Sequence, residues 1–157
     1  MKKSIKVIGS LFGVGIPVYL MGRWQQKCID RWKEEARKQR AMFLLMNQWI
    51  RIKQGNRSLE EYFVKNGYKR IAIYGMGPMG EQLVKELRNS SIETAYGIDQ
   101  NSDRIFAGIK VVKMDDELTG VDAVVVTVVK DFDAIREALM EKLDCPVVAI
   151  EDVLNEF

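Results

Sequence analysis

The stretch from Arg70 to Asp99 constrains the fold of this 157-residue chain more than any other segment. It opens with the alternating apolar run Ile71-Ala72-Ile73-Tyr74, passes through Gly75-Met76-Gly77-Pro78-Met79-Gly80, continues with apolar residues at helical spacing, and closes on Tyr96-Gly97-Ile98-Asp99. This order predicts a strand, a glycine turn, a helix and a second strand that ends in an acid. The segment is therefore expected to form a βαβ unit, which requires a parallel sheet.

Each glycine of this G-x-G-x-x-G spacing has a physical role in a dinucleotide-binding βαβ unit. Gly75 makes the tight turn, Gly77 lets the backbone approach a pyrophosphate, and Gly80 lets the helix pack closely on the strand. The N-terminus of the following helix offers unpaired N–H groups and a partial positive charge to the phosphate. Asp99 stands where an acid accepts hydrogen bonds from a ribose diol and repels a 2′-phosphate.

These residues predict a ligand site at the carboxyl edge of the sheet, with NAD or a nucleotide-sugar as the ligand. Pro78 at the start of the helix costs no intrahelical bond, but it removes one N–H donor from the phosphate cradle. No residue is predicted to bind a metal. The predicted cofactor-binding residues are Gly75, Met76, Gly77, Pro78, Met79, Gly80, Asp99, Gln100 and Thr127.

Catalytic chemistry is sparse in this sequence. It contains no histidine, which removes the commonest general base and the commonest metal ligand. Three further polar residues, Asp103, Lys130 and Asp131, also follow predicted strands. None of them forms a pair whose spacing indicates acid–base catalysis. We therefore predict no catalytic residue and favour a binding module over an enzyme.

The net charge and the positions of the cysteines limit which partners and which cellular compartment are expected for this protein. The net charge is +2, which gives no sign of nucleic-acid binding by the whole chain. Cys28 and Cys145, the two cysteines, lie far apart in the sequence. This separation argues against a disulfide framework or a zinc site and suits a reducing cytosol.

The sequence beyond Asp99 continues the alternation of strands and helices. Val121 to Val129 is almost entirely β-branched, as expected of a central parallel strand that is buried on both faces. Further elements are a strand at Gly108–Val112, one helical turn at Met114–Leu118, a helix at Asp133–Leu143, a strand at Pro146–Ile150 and a last turn at Glu151–Phe157. We predict an α/β fold with a single Rossmann-like, doubly wound parallel sheet of about five strands over residues 68–157.

Residues 4–22 form an apolar N-terminal segment whose one charge is Lys6. Its length is at the short limit for crossing a bilayer, and Gly9 and Gly13 would let two such helices approach closely in lipid. More basic residues follow the segment than precede it, which places the body of the chain in the cytoplasm at the inner face of the membrane. The two interpretations are a membrane anchor and an apolar helix buried in a subunit contact.

A long amphipathic helix is predicted from Arg23 to Gln54, followed by a short helix from Ser58 to Lys65 that opens with a capping box. One apolar stripe of the long helix alternates steps of three and four residues and comprises Ile29, Trp32, Ala36, Gln39, Phe43, Met46 and Ile50. A second stripe comprises Met42, Leu45, Trp49 and Ile52. Docking onto the sheet and pairing with a second copy are both open, and we expect a homodimer through residues 23–67.

The sheet segments also resemble a known class of domain. The run Ile71 to Gly80, the strand Tyr96-Gly97-Ile98-Asp99, and the segments Gly108–Val111 and Asp115–Leu118 are similar to the small Rossmann-like nucleotide-binding domains of bacterial surface-polysaccharide proteins. Such domains are the first domain of membrane-anchored nucleotide-sugar dehydratases and epimerases, and the N-terminal domain of sugar acetyltransferases with a left-handed β-helix.

The resemblance implies a role in surface-polysaccharide or nucleotide-sugar metabolism, next to a polysaccharide-biosynthesis enzyme. The chain lacks the catalytic domain of the dehydratases, the hexapeptide repeats of the acetyltransferases and a Tyr-x-x-x-Lys pair. We therefore expect a non-catalytic or accessory module. Two alternatives are an NAD(P)-dependent oxidoreductase or epimerase/dehydratase component completed by a partner chain, and a structural module without a ligand.

Overall fold

A computed structural model describes residues 3–102 and 108–157 of the chain, without the side chains of residues 3–20 and 22. The elements, in order, are α1 (Lys3–Gln54), α2 (Glu60–Lys65), β1 (Arg70–Tyr74), α3 (Pro78–Leu87), β2 (Glu93–Ile98), β3 (Val111–Val112), β4 (Ala123–Val126), α4 (Phe132–Met140), β5 (Val147–Ala149) and α5 (Ile150–Asn155). The predicted α/β fold with a long N-terminal helix is confirmed.

The strands form one five-stranded sheet with the order β3-β2-β1-β4-β5. Every pairing is parallel. The chain adds β2 and β3 on one side of β1 and then returns to add β4 and β5 on the other side. This order is compatible with a Rossmann-like fold. The point at which the order of strand addition reverses lies between β1 and β4.

The central strands are buried on both faces of the sheet. Alternate residues of a strand point to opposite faces, so they enter two separate apolar clusters. Ile71 and Ile73 of β1 belong to one apolar cluster, together with residues of α1, α2, α3 and α5. Ala72 belongs to the second cluster, which Leu139 of α4 completes. All four residues of β4, an alanine and three valines, are buried, as expected of a central parallel strand.

The chain divides into two compact units, residues 1–40 and residues 41–157. In the second unit, Trp49 and Ile52 at the C-terminal end of α1 are buried in the first apolar cluster. Lys53 forms an ion pair with Glu86 of α3 at 2.8 Å, and the Gln48 side chain donates a hydrogen bond to the Leu154 carbonyl at 2.8 Å. The second stripe of the long helix therefore packs against the α/β body.

Several predicted boundaries differ from the structure. Helix α1 begins at Lys3 rather than at Arg23, and β3 shrinks to Val111–Val112, because this edge strand pairs with β2 at those two residues alone. The helical turn predicted at Met114–Leu118 is absent, because residues 114–116 form a turn and a bend and residues 117–118 are irregular.

The short helix α2 begins later than its sequence signal suggests. It starts at Glu60 with Leu59 as its N-cap, rather than at Ser58. One of the two capping-box contacts forms, since the Ser58 amide donates to the Glu61 carboxylate at 3.1 Å. The Ser58 hydroxyl accepts from the Glu60 amide at 3.3 Å, whereas the Glu61 amide donates to the Ser58 carbonyl. The box thus stabilises the turn that leads into the helix.

Within the described residues, no helix combines the length and the apolar character needed to cross a membrane. The side chains of the predicted anchor, residues 4–20 and 22, lie outside that description.

Candidate functional site

The glycine loop, which comprises residues 75–80, lies at the carboxyl edge of the sheet, where the order of the strands reverses. It leaves β1 at Tyr74 and enters α3 at Pro78, while Thr127 follows the adjacent strand β4. Asp99 follows β2 on the other side of β1. Parallel α/β sheets bind their ligands in the crevice outside the carboxyl ends of the strands at such a reversal.

Two of the three glycines in the loop are required by packing. Gly75 has a φ of +90°, and a Cβ at this position would lie 2.5 Å from Cγ2 of Val128. A Cβ on Gly80 would overlap the carbonyl oxygen of Gly75. These two glycines make the turn and let α3 approach β1, which are the roles that the motif assigns to them.

The middle glycine differs from its neighbours. A Cβ on Gly77 would meet no described atom within 4 Å, and its φ of −77° suits any residue. Gly77 is exposed and serves as the N-cap of α3 without a side-chain cap. Neither packing nor backbone conformation within the described chain therefore demands a glycine at this position.

The carboxylate of Asp99 holds the glycine loop from the neighbouring strand. One oxygen accepts a hydrogen bond from the Met76 amide at 2.9 Å, and the other accepts one from the Asn101 amide at 2.9 Å. Asp99 is half-buried. Each carboxylate oxygen has a second lone pair, so both can still accept a hydrogen bond from a ligand hydroxyl.

Thr127 is buried beneath the loop. Its Oγ1 lies 2.5 Å from the carbonyl oxygen of Gly75 and 3.2 Å from that of Tyr74, and its amide donates to the Tyr74 carbonyl at 2.9 Å. Because a hydroxyl has one hydrogen, this contact uses the donor of Thr127 within the protein. Thr127 connects the end of β4 to the loop.

The two methionines of the loop point into the protein. Met76 is 2% exposed and Met79 is 3% exposed, and both belong to the first apolar cluster. The thioether of Met76 packs on Gly97 of β2, where an added Cβ would lie 2.6 Å from the sulfur. These side chains anchor the loop, so only their backbone groups lie along it.

The remaining predicted residues at this edge differ in their exposure and contacts. The structure brings Asp99 and Thr127 to the glycine loop, where both bond to its backbone. Gly77, Pro78 and Gln100 are exposed along the same edge. Asp103 lies outside the described residues.

Lys130 and Asp131, the other polar groups predicted at this edge, lie in the connection between β4 and α4. Both are exposed. Asp131 is the N-cap residue of α4, but it has a φ of 61° and makes no side-chain capping bond. Asp131 therefore occupies the position that precedes the helix without capping it through its side chain.

Gly97, Val128 and Tyr74 also contact the loop, although none of them was among the predicted site residues. A glycine in the interior of a strand is a known signal of close approach by another group, and Gly97 gives that signal. Tyr74 is half-buried, and burial, followed by the negative charge of Asp99, raises the pKa of its phenol. No comparable sequence signal marks Val128.

Within residues 3–102 and 108–157 no cluster of acidic or cysteine side chains could hold a metal ion. Protein-family models, curated proteins and solved structures give no significant match to the chain.

Proposed function

We propose that the α/β unit is a binding module for NAD or a nucleotide-sugar, with the diphosphate at the glycine loop. In this role the protein is non-catalytic or accessory. The observation that supports the proposal most directly is the open space beside Gly77. An added Cβ would clash at Gly75 and Gly80, but it would meet nothing within 4 Å at Gly77. A glycine that nothing in the described chain requires is explained if a ligand approaches the backbone there.

The phosphate would meet the N-terminal end of α3. The first amides of a helix have no carbonyl one turn back, and the helix dipole adds a partial positive charge. Pro78 has no amide hydrogen, and the amide of Met76 is donated to Asp99. The amides of Gly77 and Met79 are therefore the donors we assign to the phosphate.

Asp99 would accept the hydroxyl groups of the ligand's ribose. Its two oxygens are held in place by the amides of Met76 and Asn101, so the carboxylate is already oriented in the free protein. A 2′-phosphate beside this carboxylate would be repelled. We therefore expect NAD to bind more tightly than NADP.

A thermal-shift screen of NAD, NADP and UDP-sugars tests the proposal. A ligand at 100 times its Kd stabilises the folded state by about 2.7 kcal/mol, which raises the melting temperature by several degrees. Gly77→Asp should abolish this shift, because a carboxylate would occupy the phosphate position. Gly120→Asp is the matched control, since a Cβ on Gly120 also meets no described atom within 4 Å.

The unliganded stability of each variant completes the experiment. Both glycine variants should melt within a few degrees of the parent protein, because a Cβ at either position meets no described atom within 4 Å. Equal ligand shifts in Gly77→Asp and Gly120→Asp would place the ligand elsewhere. No shift with any of these nucleotides at millimolar concentration would favour a structural module without a ligand.

We further propose that the module works beside a polysaccharide-biosynthesis enzyme at the inner face of the membrane. The membrane location is supported by the apolar sequence of residues 4–22 and the basic residues that follow it. The enzyme partner is supported by the resemblance of the sheet segments to surface-polysaccharide proteins. Extraction of membranes with alkaline carbonate should leave the full chain in the pellet, whereas a chain that begins at Arg23 should be released. Release of both chains would contradict the anchor.

A further inference from the structure

The N-terminal half of the first apolar stripe of α1 is exposed, whereas Met46 farther along the stripe packs against the first apolar cluster. In residues 21–40, Ile29 is 47% exposed and Trp32 is 76% exposed. Ile29, Trp32, Ala36 and Gln39 follow one another at steps of three, four and three residues, which is the a and d spacing of a coiled-coil heptad. The same spacing continues in the sequence through Phe43, Met46 and Ile50.

The charges beside this stripe distinguish the two possible helix orientations. With Ile29 at position a, Glu35 occupies position g, and Lys33 and Arg40 occupy position e. In a parallel pair, position g faces the e position five residues later on the partner, so Glu35 faces Arg40. An antiparallel pair would instead bring the basic e positions, Lys33 and Arg40, together.

Within the described part of one chain, these charged side chains do not all form ion pairs. Glu35 bonds within its own helix, accepting a hydrogen bond from Gln39 at 3.3 Å and lying 3.7 Å from the Lys38 ammonium. Arg40 forms no ion pair within the described residues. A second copy would supply the carboxylate that Arg40 lacks.

We propose that α1 pairs in parallel with α1 of a second copy of this chain, as a two-stranded coiled coil along Ile29, Trp32, Ala36 and Gln39. The partner is a second copy because the stripe and its charges are self-complementary in this register. Ala36 lets the two helices approach closely. Gln39 is a polar residue at a core position, and such residues specify register and orientation.

Sedimentation velocity of the full chain at tens of micromolar, in mild detergent because of its apolar N-terminal segment, tests the pairing. The parent protein should sediment as a dimer, and Trp32→Glu should raise the dimer dissociation constant by about tenfold or more. Trp24→Glu is the matched control, because Trp24 occupies position c, away from the contact, and is 66% exposed. A monomeric parent protein, or equal weakening by both substitutions, would overturn the proposal.

A charge swap and a cross-link test the orientation. Glu35→Arg and Arg40→Glu should each weaken the dimer, and the double variant should restore it. With Cys28 and Cys145 replaced by serine, Gln39→Cys should form a disulfide-linked dimer on oxidation, whereas Glu34→Cys at the outer position f should not. Failure of Gln39→Cys to cross-link in a dimer, or no rescue by the double swap, would overturn the parallel register.

Discussion

The buried hydroxyl of Thr127 donates a hydrogen bond to the carbonyl oxygen of Gly75 at 2.5 Å, and this bond ties the end of β4 to the glycine loop after β1. Thr127→Val should destabilise the folded state by about 1–3 kcal/mol, because it leaves a buried carbonyl without this donor. Thr127→Ser, which keeps the hydroxyl, should lose less. Urea unfolding of the three proteins measures both effects, and equal losses would contradict a role for the hydrogen bond.

Gly97 and Met76 are coupled through direct packing. Gly97→Ala should destabilise the protein by about 1–3 kcal/mol, because the new methyl group overlaps the buried thioether of Met76. In the background of Met76→Ala the same substitution should cost much less, since the overlapping atoms are gone. A double-mutant cycle by chemical denaturation measures this coupling, and strictly additive losses would contradict it.

The glycines of the loop should differ sharply in their tolerance of alanine. Gly80→Ala places a methyl group against the carbonyl oxygen of Gly75, and neither backbone can move away cheaply, so we expect a loss of about 1–3 kcal/mol. Gly77→Ala should cost about 1 kcal/mol or less, because the added methyl group meets open space and only the preference for glycine at the N-cap is lost. Thermal melts of the unliganded variants test this contrast. Equal losses would mean that the loop is packed differently.

Asp122 should contribute a pH-dependent part of the stability. Its carboxylate accepts hydrogen bonds from the amides of Lys69 and Arg70, both at 2.8 Å, and these bonds lower the pKa of Asp122. Because the folded-state pKa is depressed, the stabilisation is present above the unfolded pKa of about 4 and is lost as the pH falls through the folded-state value.

Asp122→Asn should therefore be less stable than the parent protein at about pH 7, and the difference should shrink at about pH 3. Asp115→Asn, at an exposed aspartate in the connection before β4, provides the control. Urea denaturation at the two pH values gives the comparison. A difference that is the same at both pH values would contradict the role of the ionised carboxylate.

Local sequence patterns were sufficient to predict the elements of the sheet. The glycine run after Tyr74 identified the turn between β1 and α3, and the β-branched run around Val125 identified a strand buried on both faces. These features were predictable because backbone conformation and side-chain periodicity depend on residues close in sequence. The two stripes of α1 were recognised for the same reason, but their environments were not.

The tertiary structure decided which groups meet. It buries Trp49 against the α/β body and leaves Trp32 exposed on the same helix, although both occupy apolar stripes. It also assigns the hydroxyl of Thr127 and the amide of Met76 to bonds within the protein, because β4 and β2 flank β1 in the sheet order. The sequence by itself determined the local elements and the spacing of the glycine loop. The strand order alone decided which of the predicted site residues remain available to a ligand, because hydrogen bonds between strands join residues that are distant in the chain.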